Sequence, residues 1–200
     1  MRTLLKPEHY GILFLDFDGV LHPDECEAKM FFCHMEKFSA LIRDMQPHVA
    51  IVISSLWRTK YPLKALRKIF PIDIRDSIID VTPVSRTKKA KRCEEIKAYL
   101  NKSNLENVHY AILDDHPEWF RDLRGIITCD PKIGLQDAQC YKLKQWFDYI
   151  SDERTRKEKK NTPFSAQNTH DYSTEKKSNL TFHTSLDNLL TITIIEKEKE

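Results

Sequence analysis

Three short stretches of this 200-residue chain place a side chain able to do chemistry directly after an apolar run. The first is Asp16-Phe17-Asp18-Gly19-Val20-Leu21-His22, which follows Gly11 to Leu15. The second is Ser54-Ser55, after Val49-Ala50-Ile51-Val52-Ile53, and the third is Asp114-Asp115, after His109 to Leu113. A basic cluster, Arg86, Lys88, Lys89, Lys91 and Arg92, lies between the second and third. Two carboxylates two residues apart at the end of a buried strand are costly unless a cation compensates them, and the hard oxygen-seeking ion that suits them is Mg²⁺. A carboxylate can attack phosphorus, a metal and a basic side chain can hold the developing charge, and a hydroxyl can hold a phosphate oxygen. That combination is suited to phosphoryl transfer. The blander reading makes Asp16 and Asp18 the start of a loop and the basic cluster a solvated helix face.

Converging these residues requires strands that all end on one edge. Short apolar runs (Gly11 to Leu15, Val49 to Ile53, Ile78 to Val81, His109 to Leu113, Gly125 to Thr128) alternate with helical patterns, the sequence form of a parallel α/β sheet with helices on its faces. In such a sheet the carboxyl ends of the strands form the ligand crevice, and Gly19 allows a sharp turn out of it. Phe31, Met35, Phe38, Ile42 and Met45 recur at spacings of three and four and predict one buried face of a crossover helix. Ile96, Tyr99 and Leu100 repeat the pattern more weakly, and Cys140, Leu143, Phe147 and Ile150 give a last helix its stripe. These stripes read as core. The domain is expected over residues 9–150. From 151 to 200 the chain turns charged and then polar, with basic and acidic residues in balance, which predicts a poorly ordered tail. Within it, Ser185 and the apolar residues Leu186 to Ile195 offer a short piece able to dock.

Composition removes several alternatives. The four glycines (Gly11, Gly19, Gly125, Gly134) permit neither a GxxxxGK[ST] phosphate loop nor a GxGxxG turn, so no nucleotide cofactor is expected. A formal net charge of +2 is too small for the whole molecule to act as a polycation toward nucleic acid; any basic surface is local. Five cysteines without a CxxC pair argue for reduced thiols and a cytoplasmic protein, and no apolar run is long enough to span a membrane. His22 and His116, beside the acidic motifs, read as orienting or structural, and neither structural-zinc spacing nor HExxH occurs.

With those residues in view, the sequence resembles the haloacid dehalogenase (HAD) superfamily of aspartate-nucleophile phosphatases, whose four motifs lie in the right order on residues 11–115. Ile12-Leu13-Phe14-Leu15-Asp16-Phe17-Asp18-Gly19-Val20-Leu21 carries the most specific match. The resemblance implies a three-layer Rossmann-like parallel sheet, Asp16 as nucleophile forming an aspartyl-phosphate, and Asp18 as general acid and then base. It implies Ser54 as the phosphate-holding hydroxyl, and Asp114 and Asp115 completing a Mg²⁺ shell with Asp16 and the Asp18 backbone carbonyl. The third-motif cation falls on Arg92, with Lys89 and Arg86 as substitutes. Ser55-Leu56-Trp57-Arg58, His22-Pro23, Asp130-Pro131 and Gly134-Leu135 look more narrowly like a compact subgroup in RNA-repair proteins. Ser55 and Arg58 are then substrate contacts, although Ser-x-Trp-Arg equally suits a packed tryptophan beside an exposed arginine.

The interval from Asp18 to Ser54 has room for a turn, a flap, one helix and one strand, and that from Val81 to Arg92 only for a loop, so a capless site is expected. Similar capless members act on large substrates, which points to a phosphate monoester on an RNA or DNA end. The competing classes are a small-molecule or phosphoprotein phosphatase, a phosphoacceptor receiver module, and a non-catalytic phosphate-binding domain. A receiver carries its acidic pair first and its acceptor later, the reverse of the order here. Asp18 argues against the non-catalytic module.

Overall fold

The computed structural model describes residues 5–85, 92–103, 105, 107–120 and 122–161, with side chains as far as 159. Five parallel strands, β1 (Gly11–Leu15), β2 (Val49–Ile53), β3 (Ile78–Val81), β4 (His109–Asp114) and β5 (Ile126–Thr128), form one sheet in the order β3-β2-β1-β4-β5. The apolar runs become strands because both faces of a parallel sheet are covered, so every residue of β1 and β2 is buried. Gly125 stays outside β5. Its φ is +75°, and a Cβ there would stand 2.8 Å from the Tyr110 carbonyl oxygen.

The helices are α1 (Met35–Met45), α2 (Leu63–Arg67), α3 (Arg92–Lys102) and α4 (Asp137–Asn161). Alternation along the strands divides the core. Leu13, Leu15, Ile51 and Ile53 pack with Phe38, Ile42 and Met45 of α1 and Leu143 of α4. Ile12, Phe14, Val52 and Ile112 pack with Ile96, Tyr99 and Leu100 of α3. This three-layer α/β architecture is the one the apolar runs predict.

Two details differ from the sequence expectation. Phe31 is not on α1: Phe32 has φ +61°, outside helical space, so the chain reverses before α1 begins and Phe31 is left 41% exposed. The charged segment after Ile150, read as the start of a tail, is helical to Asn161. Its buried stripe does end at Ile150, but beyond it Glu153 pairs with His109 at 2.7 Å and Arg154 lies over the Tyr10 ring, with an Arg154–Glu158 pair on the outside. The rest of the expected tail, including Ser185 to Ile195, lies outside the described residues. Among those described, no helix is long and apolar enough to cross a membrane.

Candidate functional site

Strand register builds the site. Leu15 aligns with Ile53 on one side and Leu113 on the other, so the next residues along each strand, Ser54, Asp16 and Asp114, stand side by side at the carboxyl edge. The ladder continues past the strands: the Asp16 N–H donates to Leu113 O at 3.0 Å, the Ser54 N–H to Leu15 O at 2.9 Å, and the Thr82 N–H to Ile53 O at 2.9 Å. Thr82, Ser54, Asp16 and Asp114 thus form a row across four strands. Both hydroxyls are buried, and among the described residues neither Ser54 Oγ nor Thr82 Oγ1 has a hydrogen-bond partner. A buried hydroxyl left unpaired costs free energy, which makes Ser54 Oγ, on the strand next to Asp16, a donor and acceptor in waiting, with Thr82 one strand further off.

Asp16, Asp114 and Asp115 are all buried and offer carboxylate oxygens within 4.8 Å of one another. Arg92, the first residue of α3, reaches into this group. Its Nη1 donates to Asp16 Oδ2 and, at 2.6 Å, to Asp114 Oδ2. The other oxygens are fixed by backbone: the Phe17 N–H donates to Asp16 Oδ1 at 2.7 Å, and the His116 N–H to Asp114 Oδ1 at 2.9 Å. Burial pushes the Asp114 carboxyl above the ordinary carboxylate range against the pull of Arg92, and burial does the same to Asp115 against His116. The Arg92 guanidinium in turn lies 5.1 Å from the centre of the Trp119 ring, on which His116 is stacked at 3.9 Å. Gly19 is required here for two reasons: its φ is +67°, and a Cβ would stand 2.2 Å from Asp115 Oδ2.

Asp18 sits differently. Its side chain is 40% exposed, against 2% for Asp16. His22 Nε2 donates to Asp18 Oδ1 at 3.1 Å, and the Trp57 indole N–H is shared between both carboxylate oxygens at 3.1 Å. The His22 bond first, then that of Trp57, holds the Asp18 carboxyl below its usual value despite partial burial. His22 is itself buried, with Phe31, Phe32 and Trp57 rings around it. The Asp18 carboxylate is therefore oriented by two donors and lies outside the three-carboxylate cluster.

Of the sequence-chosen site residues, Asp16, Ser54, Arg92, Asp114 and Asp115 come together, with Asp18 on the solvent side. Two others are engaged within the protein. Ser55 is buried, and its Oγ accepts the Trp57 N–H at 3.4 Å, capping the 3-10 turn Leu56–Thr59. Arg58, read as a phosphate contact or an exposed neighbour of a packed tryptophan, has a fully buried side chain. Its Nε donates to Thr82 O at 3.0 Å, its Nη1 to Ser54 O and Ser55 O, and its Nη2 to Glu95, whose other oxygen accepts the Ser85 N–H. It therefore clasps the loops after β2 and β3 to α3. Arg86, Lys88, Lys89 and Lys91 lie outside the described residues. Sequence reasoning missed Trp57, Thr82, Glu95 and Trp119. Thr82 carried the same signal as Ser54, a hydroxyl directly after an apolar run; the other three act through partners dozens of residues away.

The donor set fits a hard divalent cation. Among the described residues, Asp16 and Asp114 share one arginine, and Asp115 has only His116, 3.7 Å away, so the three buried carboxylates outnumber the one guanidinium among them. Oxygen donors of this kind suit Mg²⁺ over soft metals. No cysteine competes: Cys129, beside the cluster, is buried, and burial followed by the charges of Asp115 and Asp114 pushes its thiol up to about 12.

Between Asp18 and Ser54 the chain holds only a 3-10 turn (Ala28–Met30), α1 and β2, so no cap domain is inserted there. No curated protein and no solved structure matches the chain. A family model does: that of the HAD domain in Swiss Army Knife RNA repair proteins, over residues 12–140. The matched segment holds all of the sheet but Gly11 and all the clustered carboxylates, which carries a phosphatase-like role at the level of the superfamily. By its sheet, its acidic edge and this match over more than half its length, the chain belongs to the HAD-domain family of the Swiss Army Knife RNA repair proteins.

Proposed function

We propose that the protein is a Mg²⁺-dependent phosphomonoester hydrolase that works through an aspartyl-phosphate on Asp16 and acts on nucleic-acid ends, RNA above DNA. The observation that carries this reading is the convergence of Asp16, Asp114, Asp115 and Arg92 at the carboxyl end of the central strand. The family's RNA-repair setting and the half-exposed Asp18 favour a large substrate over a metabolite. The odd cysteine count favours a cytoplasmic setting.

Asp16 is held for attack by the Phe17 N–H and Arg92, which fix the carboxylate's orientation. Its oxygen forms the bond to phosphorus as the ester oxygen leaves, and Asp18 gives that oxygen its proton. Asp18 then takes a proton from water, whose oxygen attacks phosphorus and frees Asp16. His22 and Trp57 stabilise the ionised Asp18 that the second step uses. The phosphate's own negative charge, arriving nearby, raises Asp18's proton affinity for the first. Ser54, on the strand next to Asp16, offers a buried hydroxyl that can hold a phosphate oxygen, and Arg92 balances charge as it develops. A Mg²⁺ held by Asp16, Asp114, Asp115 and the Asp18 carbonyl would supply Lewis-acid stabilisation of the phosphate oxygens.

Turnover of 5′- and 3′-phosphorylated oligonucleotides, a phosphopeptide, a mononucleotide and ribose 5-phosphate, with Mg²⁺ and with EDTA, tests the reading. An oligonucleotide is expected to give the highest kcat/KM, EDTA to silence it, and Asp16→Asn to abolish turnover without unfolding, because an amide cannot form the acyl-phosphate. Normal turnover by that variant overturns the mechanism. A mononucleotide or sugar phosphate used best makes this a small-molecule phosphatase, and a phosphopeptide used best a protein phosphatase.

A further inference from the structure

Beside Asp18 the chain from Trp57 to Ile69 carries a second pattern that the hydrolytic chemistry does not use. Trp57, Tyr61, Ala65, Leu66 and Ile69 line one apolar cleft of about 330 Å³. That volume stands at the low end of ligand pockets and holds one flat ring system rather than a whole nucleotide. The Trp57 and Tyr61 rings are 5.6 Å apart and inclined by 34°, too close to admit a third ring between them, so a guest packs against them. Tyr61 is 47% exposed and keeps a ring surface open. The cleft is tied to the reaction centre by the Trp57 indole N–H, 3.1 Å from both Asp18 oxygens.

A lysine precedes three of the cleft residues: Lys60 before Tyr61, Lys64 before Ala65 and Lys68 before Ile69. All three are exposed, and none has an ion pair among the described residues. Arg67, by contrast, commits its guanidinium to Ile78 O and Ile79 O. An apolar, aromatic-walled slot alternating with unpaired cations is suited to a ligand that is itself alternately flat and anionic, and a single-stranded nucleic acid is such a ligand. A phosphoserine peptide supplies the anion without the flat ring, a phosphotyrosine peptide the ring without a run of anions, and a sugar phosphate neither the ring nor a run of charges.

We propose that this cleft is a nucleobase subsite: it stacks the base of the nucleotide that carries the scissile phosphate, while Lys60, Lys64 and Lys68 neutralise backbone phosphates. The inference rests on the nucleic-acid-end reading above and adds that the enzyme recognises the end through its base. Trp57 then has two duties, orienting Asp18 through its N–H and forming one wall of the subsite with its ring.

The test uses the full chain with two phosphorylated oligonucleotides of equal length, one with an intact terminal nucleotide and one abasic there. The base-bearing end is expected to have roughly tenfold higher kcat/KM, the size of one base–aromatic stack. Tyr61→Ala should pull that ratio close to one, and Tyr61→Phe, which keeps the ring, should preserve it. Replacing Lys60, Lys64 and Lys68 together by Ala should flatten the salt dependence of kcat/KM on the oligonucleotide. Oligonucleotides preferred over ribose 5-phosphate, but with the intact and abasic ends used equally by the wild type, overturn the subsite and leave the end reading standing. An undiminished ratio in a folded Tyr61→Ala protein also overturns it. A mononucleotide preferred over every oligonucleotide defeats the end reading instead. If that preference over ribose 5-phosphate collapses in Tyr61→Ala, the subsite is upheld.

Discussion

Asp16 and Asp18 are two residues apart and chemically alike, yet their surroundings give them different work. Asp16 is buried, with one oxygen on a backbone N–H and the other on Arg92, which suits a fixed nucleophile. Asp18 faces solvent and is oriented by His22 and the Trp57 indole, which suits a group that must exchange protons. Because those donors hold its carboxyl below the usual value, removing one raises it. A Trp57→Phe protein therefore needs a higher pH to keep Asp18 ionised as a base. Measured on an aliphatic phosphate at saturating Mg²⁺, the acid limb of its kcat profile is expected to move to higher pH. An unmoved limb would mean that the indole N–H does not set the proton affinity of Asp18.

At the scale of elements, the strands were legible because a parallel strand buried on both faces is a continuous apolar run, and the Asp or Ser directly after that run announces its end. Asp16, Ser54 and Asp114 were found by that rule alone, and register did the rest. What local pattern cannot reveal is a partner on another element. Trp57 is 39 residues from Asp18, and Glu95 is 37 from Arg58. Phe31 failed for a different reason: its four-residue spacing from Met35 satisfies the helical period, while the positive φ of Phe32 that ends the helix has no apolar signature. Arg58 shows what such hidden pairs do. Arg58→Met would strand the carboxylate of Glu95 and three backbone carbonyls, at a cost of about 3–5 kcal/mol, or roughly 10 °C in Tm. A calorimetric Tm within 2 °C of wild type, on the order of the per-kcal/mol shift, would refute this clasp. On α4, the stripe that holds the helix ends at Ile150, and among the described residues the turns beyond it are tied to the rest only by Glu153 to His109 and Arg154 to Tyr10. A chain ending at Asn161 should therefore unfold cooperatively at the full-length Tm, and one ending at Ile150 should lose at most about 1 kcal/mol. Loss of the cooperative transition in the first would place the later residues in the core.

For the whole molecule, the near-neutral charge conceals a local imbalance among the described residues: three buried carboxylates against the Arg92 guanidinium, with His116 3.7 Å from Asp115. Burial holds the Asp114 and Asp115 carboxyls above their unfolded values, so the folded chain keeps protons that the unfolded chain releases. The stability this linkage contributes is complete below the unfolded pKa and is lost as pH rises through the raised folded values. The metal-free protein therefore gives up stability from this pair on going from acid to neutral pH, where a bound divalent cation returns it. Mg²⁺ at a hundred times its dissociation constant adds about 2.7 kcal/mol, which for a domain of this size is roughly 5–10 °C in Tm. That increment is expected to be larger at pH 7 than at pH 5. Asp115→Asn removes one of the repelling charges, so it should raise the metal-free Tm at neutral pH and lose most of the Mg²⁺ increment. Such a trade, a more stable fold with a poorer site, is what a charge cluster kept for function produces. A wild-type Tm indifferent to Mg²⁺, or an Asp115→Asn protein that keeps the full increment, would show that these carboxylates do not hold the ion.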